Sequence, residues 1–131
     1  TMETTDYVNY ELAVALKAAG FDEPCEAFYL PPMKNRPEPF FSGRVKRSIK
    51  NETHAFHLSA PSLYHAQKWL REKKKMHCQV LLNGVRSMYF WQVREIIGNG
   101  RYADSAHQYD VYEDAMSDCI SAALKLIKKG E

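Results

Sequence analysis

The chain has 131 residues, 45% of them apolar and 26% charged, with 18 Lys and Arg against 16 Asp and Glu. That length suits one domain with a genuine core, 1–131, and the composition is that of a globular protein rather than a disordered or membrane one. No apolar run reaches the ~18–20 residues of a membrane-spanning helix, and the polar stretch Thr1–Asp6 lacks the apolar region of a secretory signal.

The first element expected is a helix over about residues 10–19. Asn9 can cap it by accepting from an exposed N–H of the first turn. Leu12, Ala15, Leu16 and Ala19 recur at helical spacing. Gly20 supplies a left-handed stop, with Phe21 folding back on Leu16. Cys25–Leu30 reads as a short strand. Pro31, Pro32, Pro37 and Pro39 then predict a flexible, irregular loop over 31–43, because proline lacks an N–H and restricts its neighbour. Residues 44–50 and 54–58 are read as a second hairpin beside that first strand.

A second helix is expected from Pro61 or Ser62 to Lys74. Leu63, Ala66, Trp69 and Leu70 lie on one face. Next comes a hairpin. Asn83-Gly84 is the composition of a two-residue type I′ turn, which pairs Leu82 with Val85, Val80 with Ser87 and Cys78 with Tyr89. One face then carries Cys78, Val80, Leu82, Val85, Tyr89, Trp91 and Val93 and belongs against the helices. The more polar face carries His77, Gln79, Leu81, Arg86, Met88, Phe90, Gln92 and Arg94. A last strand is expected within 102–109. The final helix opens on a capping box, Asp110 with Glu113, and buries Met116, Cys119, Ile120, Ala123, Leu124 and Ile127. The fold class is α+β: about three helices packed on one face of a mostly antiparallel sheet of about five strands.

Motifs of chemistry are sparse. Cys25, Cys78 and Cys119 form no C-x-x-C pair and each sits in an apolar pattern, as in a reduced, cytoplasmic protein. If their segment is a strand, His54 and His57, three apart, point to opposite faces and cannot share a metal; on a helix they could, but no H-E-x-x-H pattern or nearby acidic ligand completes a site. Cys78 beside His77 is no dyad, because adjacent strand residues face opposite ways. No nucleophile elbow, phosphate loop or dinucleotide fingerprint occurs, so no catalytic, metal or cofactor residue is assigned and no cofactor is expected.

Charge is the more informative feature. Residues 1–30 hold one cation against six carboxylates, residues 31–100 thirteen against four, and residues 101–131 four against six. Arg44, Lys46, Arg47 and Lys50, with Arg71, Lys73, Lys74 and Lys75, could meet phosphates of a nucleic acid. Residues 62–129 also follow the element order of double-stranded-RNA-binding domains. Those domains grip phosphate with lysines at the last helix's N-terminus, however, where this chain carries Asp110, Glu113 and Asp114. Met88 and Phe90, on the polar face, are the candidate exposed apolar surface for a protein partner or a second copy.

Three blocks, YVNYELAVALKAAGFDEPC (7–25), APSLYHAQKWLREKK (60–74) and YDVYEDAMSDCISAALKLI (109–127), cover about forty per cent of the chain. They resemble a family of small uncharacterised proteins of Bacteroides-type gut bacteria, their phages and mobile elements. The resemblance implies a cytoplasmic accessory protein and brings no cofactor, activity or site residue with it. The expected function is a non-catalytic interaction or self-associating module. The alternative is nucleic-acid binding through 44–50 and 71–75.

Overall fold

The computed structural model describes residues 6–43, 57–98 and 100–129. It is α+β, with helices α1 (Tyr10–Ala18), α2 (Leu63–Lys73) and α3 (Tyr112–Lys129). The strands are β1 (Phe28–Leu30), β2 (Phe40–Ser42), β3 (Leu58–Ser59), β4 (Met76–Asn83), β5 (Met88–Glu95) and β6 (Tyr102–Asp104). They form two three-stranded antiparallel sheets, ordered β2-β1-β3 and β4-β5-β6, in place of the single five-stranded sheet expected. The chain divides into two compact units, Thr1–Ser62 and Leu63–Glu131, with one sheet in each.

In the first unit Asn9 caps α1 as its sequence implies, its Oδ1 accepting from the Leu12 N–H at 2.8 Å. Gly20 adopts φ +98°, the left-handed stop, and the Phe21 N–H reaches the Leu16 carbonyl at 2.9 Å. Phe21 is buried with Leu12, Ala13 and Leu16. β1 is shorter than expected and pairs on both edges, with β2 and β3. β2 lies within 31–43, so the proline-rich stretch is not irregular throughout: Phe40–Ser42 pair with β1, Leu30 opposite Phe40. A tight turn closes between Met33 and Arg36, held by N–H to carbonyl bonds of 2.7 and 3.0 Å. Tyr29 is buried and donates its hydroxyl to the Val8 carbonyl at 2.8 Å. Phe41 stacks between Tyr7 and Tyr29. The second expected hairpin, 44–50 with 54–58, lies outside the described residues except at its end, where Leu58 opens β3.

In the second unit α2 and α3 both pack against the β4–β6 sheet. The Asn83-Gly84 turn does not take the expected form. Asn83 pairs with Met88, Leu82 with Tyr89, Val80 with Trp91 and Cys78 with Val93, leaving residues 84–87 as a four-residue loop. The cause is local: the Asn83 side chain accepts from the Val85 N–H at 3.2 Å, and the left-handed residue is Ser87, φ +53°. The shift moves β5 by an even number of residues, so side chains that stay in the strands keep their expected face, whereas Val85, expected against the helices, stands in the loop and Leu82, expected there too, is exposed. Met76, Cys78, Trp91 and Val93 are buried on the helix side with Met116, Cys119, Ile120, Ala123 and Leu124 of α3. α3 begins at Tyr112, with Val111 rather than Asp110 ahead of it, so the expected capping box starts too early.

The far end of α3 is tied to the sheet by Arg101, which donates from Nε to Glu95 at 3.1 Å and from Nη1 to the Leu126 carbonyl. Gly98, φ +98°, turns the chain between β5 and β6, and a Cβ there would sit 3.0 Å from the Glu95 carboxylate.

Register and exchange are linked. Tyr89, Trp91 and Glu95 direct their backbone groups to Tyr109, Ser105 and Arg101, so the intervening β5 residues face β4 and their partners Gln79 and Leu81 face back. Val80 and Leu82 then point their N–H groups away from β5. Amide exchange of Gln79 and Leu81 is expected to be slower than that of Val80 and Leu82 by about tenfold or more. The two-residue turn would give the reverse order.

Candidate functional site

α2 and α3 cover one face of the second sheet, so the alternation of strand residues puts the others on the opposite face. There Gln79 faces Gln92, with an amide hydrogen bond of 3.1 Å between them. Leu81 lies opposite Phe90 and Asn83 opposite Met88. No residue of β4 or β5 on this outer face is buried; Leu81, Met88 and Phe90 are half-exposed. At one corner Arg94, exposed, sits 5.1 Å over the Tyr102 ring. The structure thus brings Met88 and Phe90 together with Leu81 on one accessible surface. The sequence pattern placed them on the right face. Their neighbour Tyr102 was missed, because only the β5–β6 register sets it opposite Arg94.

Of the basic residues, Arg44, Lys46, Arg47 and Lys50 lie outside the described residues, as does His54. Arg71, Lys73, Lys74 and Lys75 end α2 and lead into β4. Lys73 and Lys75 are exposed and Arg71 and Lys74 half-exposed. Two of them have structural duties. The Lys74 ammonium packs 5.6 Å over the Trp69 ring, and that of Lys75 donates to the Glu72 carbonyl at 3.0 Å. Cations at a helix C-terminus also stabilise its dipole.

Polar clusters elsewhere in the unit are internally satisfied. The Trp91 indole N–H donates to the Tyr109 hydroxyl at 3.2 Å, which donates to Asp118 at 2.5 Å. Burial and the Asp118 contact raise the Tyr109 phenol above its ordinary range, so it holds its proton near neutrality. Among the described residues no three His, Cys, Asp or Glu side chains gather as metal ligands. His77 lies opposite Arg94 on the outer face while Cys78 is buried on the other, as period-two alternation requires.

All three cysteines are free and buried. Burial first, then Glu23 and Glu26, push the Cys25 thiol up to about 12. A hydrogen bond with Cys78 and burial raise Cys119 as well. Thiols this reluctant to ionise make poor nucleophiles at neutral pH. Their folded pKa lies above the unfolded value near 9, so the stability they contribute is complete below pH 9 and is lost as pH rises toward 12. Unfolding free energy should fall through that window by about 1.4 kcal/mol per pH unit per such thiol. Cys25→Ala should remove its share, as denaturant titration at stepped pH will show.

No protein family, curated protein or solved structure matches the chain.

Proposed function

We propose that the chain is a non-catalytic interaction module that engages protein through the outer face of its second sheet. One observation carries the reading: Leu81 lies opposite Phe90, with Met88 on the same face, half-exposed where α2 and α3 leave the sheet uncovered. An apolar centre ringed by amides and Arg94 has the composition of an interface, with desolvated anchors inside a polar rim. The buried thiols and the satisfied Trp91–Tyr109–Asp118 chain leave these groups to packing rather than chemistry. The resemblance of the three helical blocks suggests the setting, an accessory protein of a phage or mobile element acting in the cytoplasm of its host.

Protein is favoured over nucleic acid by the charges of the same unit. α3 opens on Glu113 and Asp114, where a phosphate-gripping helix would present cations, and Lys74 and Lys75 already serve Trp69 and the end of α2.

A photo-crosslinking amino acid placed at Phe90 should give discrete protein adducts in cells. The same group at Lys68, on α2, should give none, and adding Met88→Asp should reduce the Phe90 adducts at least about tenfold. Equal labelling from both positions, or none from Phe90, would contradict the reading.

A further inference from the structure

The second unit is electrically bipolar along its strands. β4 starts and β5 ends at one edge of the unit, joined by the Ile96 N–H bond to the Lys75 carbonyl at 2.8 Å. α2 delivers Arg71, Lys73, Lys74 and Lys75 to that edge, and β5 adds Arg94. α3 ends there too, because Arg101 holds the Leu126 carbonyl, and it brings Lys128 and Lys129. Among the described residues the carboxylates of this end are Glu72 and Glu95, and Glu95 is occupied by Arg101. At the opposite end the β4–β5 loop meets the start of α3: Tyr89 bonds Tyr109 through the backbone and packs edge-on against Tyr112 at 5.6 Å. Asp110, Glu113 and Asp114 stand there, with Arg86 as the cation.

Helix dipoles account for part of this pattern. α2 and α3 both run toward the basic end, so their partial charges add, and lysines at their C-termini with carboxylates at the N-terminus of α3 offset them. The dipoles do not account for the apolar residues left in water at both ends. Ile96 and Ile97 are exposed beside the lysines; Leu82, Val111 and Tyr112 are exposed beside the carboxylates, and Val85 is 95% exposed at the loop tip. Each end is therefore an apolar patch with a charged rim, and the rims have opposite sign.

From this we infer that the basic end of one copy docks on the acidic end of a second copy, giving head-to-tail self-association. The occupant is set by charge complementarity within the one sequence: each end offers the surface that the other end needs. A contact between different patches is heterologous, so it builds a ring or an open chain rather than a twofold dimer. The inference rests on the reading as an interaction module but uses surfaces apart from Met88 and Phe90. Crosslinking at residue 90 reports the outer face and charge reversal reports the ends, so each can fail by itself.

The test is sedimentation velocity of the full chain after nuclease treatment, at low and at high salt. The expected mass exceeds the 15.1 kDa of one chain at low salt and falls to it at high salt. Lys73→Glu with Lys75→Glu, and separately Asp110→Lys with Asp114→Lys, should each stay at the one-chain mass while keeping the helical circular dichroism. An equal mixture of these two variants should recover the larger species, because each then supplies the sign the other lacks. Val85→Asp, which changes no buried contact, should weaken the assembly of the otherwise wild-type chain. A one-chain mass under every condition, or a mixture that does not recover, would overturn the inference. An assembly that forms only when nucleic acid is added back would also overturn it and assign the basic end to phosphate.

Discussion

The second unit depends on one packing constraint: the buried stripe of α3 against the helix-facing residues of β4 and β5. Met116, Cys119, Ile120, Ala123 and Leu124 recur at the spacing of one helical face, and Met76, Cys78, Trp91 and Val93 alternate as one strand face. Each fully buried side chain of this size contributes about 1.5–3 kcal/mol. β4 turns its even-numbered residues and β5 its odd-numbered residues toward the helices, so the alternate residues of each must turn away. The accessible surface around Phe90 is therefore a consequence of the core. The buried polar edge of the Trp91 indole is met by Tyr109, which spares the interior an unsatisfied donor.

Local rules were legible in the sequence wherever the chemistry is local. The Asn9 cap and the Gly20 stop need only residues a few positions apart, and both form as the pattern implies. Face assignment also survived for the residues that remain in the strands, because alternation depends on parity and the register shift was even, but Val85, expected on the helix side, passed into the loop and is exposed. The register itself depended on how the Asn83 side chain was used. A carboxamide that accepts from the Val85 N–H favours a longer loop over the two-residue turn, and composition does not distinguish them.

What escaped the sequence is long-range. β1 is three residues long and is paired on both sides, which gives the first unit a sheet of its own. The clamp from Arg101 to Glu95 and Leu126 joins a loop to the end of a helix 25 residues on, a contact that no short pattern records. The bipolar charge was only half visible. Lys73–Lys75 stood out as a run, but their convergence with Arg94 and the end of α3 follows from the direction in which each element crosses the unit. The same directions separate Asp110, Glu113 and Asp114 from those lysines by the length of the strands.

One face of the second sheet carries the core while the other stays accessible. Paired denaturant titrations of Ile120→Ala and Phe90→Ser test it most directly. Ile120 is fully buried on the inner face of α3, and its truncation should cost about 2–5 kcal/mol. Phe90 faces outward, and its replacement should change stability by no more than about 1 kcal/mol. Equal losses from the two substitutions would mean that the outer face is itself part of the core, and the account would fail.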